Sequence, residues 1–317
     1  MRGSVYWIAL LTIAASAPGA QQKAGVDSEQ LLSQRFHFSN AQVAQARQGQ
    51  PVVKVQADSD QLKVLGAIRL PGKKERLSEW MKNIEHFRGS AQLGTAHLIP
   101  LPPAAAAFAQ ATLDSADLAE LQRCRPENCA IRLPSETLAQ VQREPARADD
   151  IIRELMLGYT TAYLHGGYAG VTDMHTLIGR TSALMDLAPE LVAYLDGFPN
   201  TSLAGVDQLM YWSSMPTGSA TILSVHHLVV HHPRATETWI VDQTVYATRY
   251  FDEGVLAIAL YDAPDKAGFY AVAGSRVKSS QLGTTAATLL RRQIQRSAGD
   301  TVKTYLEWIR ESLAQAP

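Results

Sequence analysis

Long apolar runs are missing from this 317-residue chain. A bilayer-crossing helix needs roughly 20 consecutive apolar residues, and the longest uncharged apolar run, residues 5–14, is half that. Charge of one sign is missing too. Lys and Arg total 29 against 30 Asp and Glu, with no basic cluster, which removes the electrostatic footprint expected of a nucleic-acid or anionic-membrane binder. The common catalytic signatures are also absent: Gly-x-Ser-x-Gly, His-Glu-x-x-His, the Walker loop, Gly-x-Gly-x-x-Gly and Cys-x-x-Cys-His. No cofactor or resident metal is therefore expected. Cysteine is scarce, with two in the whole chain.

What is present begins with a leader. Arg2, the apolar run 5–14 and the small residues of 15–20 are the three parts of a secretory signal peptide. The expected product is a periplasmic or secreted protein whose mature form has no transmembrane segment. Cys124 and Cys129, in Cys-Arg-Pro-Glu-Asn-Cys, then read as a disulfide closing a tight Pro-containing loop. Redox catalysis would favour Cys-x-x-Cys, and a metal site would need further ligands nearby.

Periodicity divides the rest. Residues 21–50 predict a helical arm with Asp27 or Ser28 at its start and a break near Ser39-Asn40. Val52, Val53, Val55, Leu62, Val64 and Ile68 alternate on either side of Asp58-Ser59-Asp60, which predicts a hairpin. Leu77, Trp80, Met81 and Ile84 recur at helical spacing, and a strand-like run follows over 91–99. Residues 101–200 read as a largely helical insertion around the cysteine loop, with Ile152, Leu155, Met156, Tyr159 and Tyr163 on one stripe. From Leu209 the period becomes two, with strands expected over 220–232, 238–250, 255–261 and 269–277. A 3-to-4 spacing from Leu282 to Leu313 predicts one long amphipathic helix. The expected organisation is a signal peptide over 1–20, the arm over 21–50, and a single α+β domain over 51–317.

An early strand-then-helix unit, a late antiparallel meander and a long terminal helix resemble START-like and polyketide-cyclase-like helix-grip domains. The resemblance covers residues 52–99 and 209–315 and implies a curved sheet gripping the last helix, with a pocket between them. The segment Tyr246-Ala-Thr-Arg-Tyr-Phe-Asp, with Ser275-Arg276, resembles stretches of exported bacterial proteins with no assigned activity. Neither resemblance supplies a catalytic residue.

Candidate chemistry comes from the residues. His226, His227, His231 and His232 share one strand, with His227 and His231 on one face and His226 and His232 on the other. Same-face pairs are then about 13–20 Å apart at ~3.3 Å per residue, too far to share one zinc ion with ~2.0 Å ligand bonds. His165-Gly-Gly-Tyr-Ala-Gly, with Asp173 and His175, offers exposed backbone N–H groups and a base with an orienting carboxylate, although a helix–loop–helix connection uses the same residues structurally. The strand over 238–250 mixes polar and apolar residues on both faces, as a pocket wall does. Tyr211, Trp212, Tyr246, Arg249 and Arg276 are the expected ligand-binding residues. The favoured function is an exported binding protein for a hydrophobic small molecule or lipid. The alternative is an enzyme in the same cavity, metal-assisted or not. There His226 or His227 is the general acid/base, and Tyr246 or Arg249 stabilises charge.

Overall fold

A computed structural model describes residues 27–57, 61–90, 94–171, 188–217, 220–249, 253–278 and 285–315. The expected signal peptide and the Asp58-Ser59-Asp60 turn lie outside these residues.

The arm forms as its capping residues dictate. Asp27 accepts the Glu29 and Gln30 amides to start α1 (Ser28–Gln34). Ser39 and Gln42 form a reciprocal capping box at the head of α2 (Asn40–Arg47), the arrangement that satisfies two otherwise orphaned N–H groups. The hairpin follows as β1 (Val52–Ala57) and β2 (Gln61–Leu70). After Pro71-Gly72 come α3 (Lys74–Lys82), α4 (Ile84–Ser90) and β3 (Thr95–Ile99). The insertion contributes α5 (Ser115–Leu121), α6 (Ser135–Arg143), α7 (Ala148–Gly166) and α8 (Pro189–Gly197). The meander is β4 (Val206–Thr217), β5 (Ala220–Arg234), β6 (Glu237–Ala247), β7 (Glu253–Asp262) and β8 (Phe269–Lys278), and the chain closes with α9 (Thr285–Gln315). The four strands expected after Leu209 are thus preceded by a fifth, β4, which places Tyr211 and Trp212 mid-strand.

All strands join one antiparallel sheet in the order β1-β2-β8-β7-β6-β5-β4-β3. Both faces are covered, which explains why the strands read as near-continuous apolar runs rather than clean alternation. On one face Ile68, Leu228, Ile240, Ile258 and Ala271 pack with Leu77, Met81 and Phe87 of α3 and α4 and with Leu306, Ile309 and Leu313 of α9. On the other, Val229, Trp239, Val241, Ala257 and Val272 pack with the arm and with α5–α8. The insertion is therefore a second helical layer, on the opposite side of the sheet from the terminal helix.

The terminal helix packs on one face of the sheet. It lies over the β1–β2 hairpin, where Leu306 and Val302 press on Gly66 too closely for an added Cβ and Gly299 sits tightly against Val55. The same helix also reaches the face of the later strands, since its Leu306, Ile309 and Leu313 share one apolar cluster with Leu228, Ile240, Ile258 and Ala271. Its Tyr305 and Trp308 join Trp80 and Phe87 in a cluster with ring centroids 5.0–6.1 Å apart, which ties α9 to α3 and α4.

Candidate functional site

Between this layer and the sheet, five strand-borne polar residues interrupt an apolar environment. Ser213 pairs opposite Ser224, and Tyr211 pairs opposite His226, so four side chains from β4 and β5 share one face in two adjacent rungs. Asp242 of β6 sits opposite Leu228 and reaches diagonally to the same histidine. His226 Nδ1 lies 3.1 Å from Asp242 Oδ1. His226 Nε2 lies 2.7 Å from Ser224 Oγ and 3.2 Å from Ser213 Oγ, and the two hydroxyls are 3.0 Å apart. The Tyr211 hydroxyl donates to Asp242 Oδ2 at 2.5 Å, and its ring stacks on the His226 imidazole at 4.5 Å and 5°. Arg88 of α4 lies over the Tyr211 ring, 5.9 Å from its centroid.

Electrostatics give each group a role. Burial acts to raise the Asp242 carboxyl, but the His226 charge, the hydrogen bonds from His226 and Tyr211 and the Arg88 charge outweigh it. The group ends below its ordinary value and stays ionised. Burial and the Asp242 charge push the Tyr211 phenol well up, so it stays a donor. In the neutral imidazole, an ionised Asp242 favours the tautomer with its proton on Nδ1, which leaves Nε2 to accept from Ser224. The imidazole and carboxylate keep 12% and 14% of their side-chain surface accessible. Asp242, Ser213 and Ser224 carried no signal in the sequence, because their meeting depends on strand register.

The other expected site residues do not join this cluster. Trp212 points to the opposite face and donates its Nε1–H to Ala107 O at 2.7 Å. Tyr246 also lies there, stacked on Tyr159 at 4.3 Å with its hydroxyl 3.3 Å from Arg132 O. The reason is a register shift: Val225 pairs with Tyr246 but His226 with Thr244. Val245 is therefore bulged, and every later residue of β6 changes face. Arg249 is buried on that side, paired with Asp117 and, at 2.7 Å, with Glu120 of α5. Arg276 is on β8, two strands from β6, with its Nε 3.3 Å from Gln61 Oε1 of the neighbouring β2.

His227 lies on the α7 side of the sheet, away from the cluster. The Tyr163 hydroxyl lies 2.8 Å from its Nδ1 and Gln208 Oε1 lies 2.8 Å from its Nε2, while Tyr194 donates to the same Gln208 oxygen. Burial lowers its pKa to about 4, partly offset by the Asp242 charge. His231 is buried with neither ring nitrogen hydrogen-bonded. His232 Nδ1 lies 3.0 Å from Thr238 Oγ1. The Gly-rich break serves chain packing. Gly167 has φ +58° and its Cβ position is 2.0 Å from Phe198 O, so only glycine fits. Asp173 and His175 lie outside the described residues.

Cys124 and Cys129 are joined. Among the described residues no helix is long and apolar enough to cross a membrane, and no group of His, Cys, Asp and Glu could hold a metal. A separate cleft of about 850 Å³ opens beside the N-terminus of α3. The buried Lys74 Nζ there is neutralised by Glu75 and Asp262 and bonded to Ala235 O. Comparison with family models and with curated proteins finds no match.

Proposed function

We propose that the protein is an exported binding protein that holds a hydrophobic small molecule or lipid between the sheet and the α3/α4/α9 layer, in the manner of a helix-grip domain. One observation carries this reading: the Tyr211–His226–Asp242–Ser224–Ser213 cluster is set inside an otherwise apolar layer walled by Phe87, Leu228 and Ile240. Buried polar groups cost free energy, and a few of them in an apolar wall are what orients a ligand's polar end. The element order, an early strand, two helices, a meander and a terminal helix on the same face, supports the same reading. The joined cysteines are in keeping with an oxidising compartment.

The test is titration of the purified, exported protein with 11-(dansylamino)undecanoic acid. We expect saturable fluorescence enhancement that weakens about tenfold in His226→Phe and is unchanged in Trp212→Phe, whose ring lies on the opposite face. A folded protein with no enhancement, and with no apolar molecule co-purified in native mass spectrometry, overturns the proposal.

A further inference from the structure

The cluster is wired in a definite order: carboxylate to Nδ1, Nε2 to hydroxyl. We propose that Ser224 is a nucleophile and that the site hydrolyses a carboxylic ester with an apolar acyl chain. This inference rests on the hydrophobic-ligand reading above and names the class of molecule as a substrate. A serine hydroxyl is a weak nucleophile until a base takes its proton, and a base is effective when a third group fixes its tautomer. Ser224 Oγ, His226 Nε2 and Asp242 Oδ1 meet both requirements at 2.7 Å and 3.1 Å. Such a constellation is recognised by geometry and roles rather than by sequence position, so the missing Gly-x-Ser-x-Gly elbow does not count against it.

The steps balance without a co-reactant other than water. Ser224 Oγ attacks the ester carbonyl carbon as its proton passes to His226 Nε2. The tetrahedral intermediate collapses, the C–O bond to the alcohol breaks, and the alcohol leaves with that proton. Water then attacks the acyl-serine by the same route, giving the carboxylic acid and restoring Ser224. The oxyanion that forms beside Ser224 needs a hydrogen-bond donor, and the hydroxyl nearest the nucleophile on the same face of the sheet supplies it. Ser213, 3.0 Å from Ser224 Oγ, is that donor. One donor instead of two predicts slow turnover, since each is worth about 10²–10³-fold in rate.

The exported full chain is treated with an octyl fluorophosphonate and the adduct mapped by peptide mass spectrometry, alongside hydrolysis of p-nitrophenyl octanoate and acetate. We expect one adduct, on Ser224, and faster hydrolysis of the octanoate. Ser224→Ala should abolish labelling, His226→Gln should slow it at least about 100-fold, and Ser213→Ala should keep the label but lose about 100-fold in hydrolysis. The wild-type adduct map decides the matter even where a variant fails to fold. No adduct on Ser224, or hydrolysis unchanged in Ser224→Ala, overturns the inference. If the dansyl fatty acid still binds in that sample, the binding reading stands without it. If the dye does not bind, both fall.

Discussion

Arg249 is a side chain whose residue type suggests a ligand anchor and whose surroundings make it a structural cation. Its side chain is 6% exposed and its partner Asp117 only 1%, so the pair is sealed between the end of β6 and α5. Burial pushes the Asp117 carboxyl up, and Arg249 offsets this only in part. Breaking a buried pair from one side leaves an uncompensated charge, which costs about 3–5 kcal/mol. Arg249→Ala should therefore lower the urea midpoint sharply while leaving dansyl fatty acid affinity in the surviving folded fraction unchanged. Arg249→Met with Asp117→Asn should recover part of the loss, because no unpaired charge remains buried. A single variant as stable as the wild type would show that the pair is dispensable. The contrast with His226 is instructive, since its partly accessible imidazole faces a carboxylate and hydroxyls that no helix end or loop requires.

At the scale of elements, His227 acts as a clip, holding α7 through Tyr163 and β4 through Gln208 onto β5. Its pKa is about 4 in the folded protein, against ~6.5 in an unfolded chain. Between those values the unfolded chain takes up a proton that the folded protein refuses, so stability is full above about pH 6.5 and falls as the pH drops towards 4. The loss is on the order of 3 kcal/mol. Urea midpoints at pH 7 and pH 4.5 should differ less in His227→Gln than in the wild type, and equal slopes would remove His227 as the cause. Most elements were legible because they announce themselves locally. The break at Ser39-Asn40, the alternation on either side of the first hairpin and the 3-to-4 stripe of α9 are all short-range signals. Two things were not. Strand β4 was missed because its middle, Met210 to Ser213, is buried on both faces, which erases there the alternation that marks a half-exposed strand. The face of Tyr246 was inverted because the bulge at Val245 leaves no mark in the local sequence. The histidine cluster was half legible: the sequence places His226 on a face, but which carboxylate and hydroxyls meet it is decided by register across three strands.

For the whole molecule, the two helical layers do different jobs. The arm and insertion face is held by the Trp212, Tyr246, Arg249 and His227 contacts, each tying one helix or loop to one strand. The opposite face depends on fewer elements, α3, α4 and α9, joined largely through the Trp80–Phe87–Tyr305–Trp308 cluster. Removing residues 283–317 takes away Leu306, Ile309 and Leu313, all at most 6% exposed, and strips Tyr305 and Trp308 from α3 and α4. Each fully buried aliphatic side chain is worth about 1.5–3 kcal/mol, against total stabilities of only ~5–15 kcal/mol. We therefore expect the truncated protein to lose its cooperative thermal transition and to bind 8-anilinonaphthalene-1-sulfonate strongly through the uncovered face. The loss should not be rescued by higher salt, because the contacts removed are apolar. A milder variant separates folding from function. Trp308→Phe keeps a ring in the cluster, so it should lower Tm by only a few degrees, an effect of about 1 kcal/mol, while leaving the His226 cluster intact. A truncated protein that still melts cooperatively at the full-length temperature would mean that α9 is an appendage and that α3 and α4 alone close the layer over the cluster.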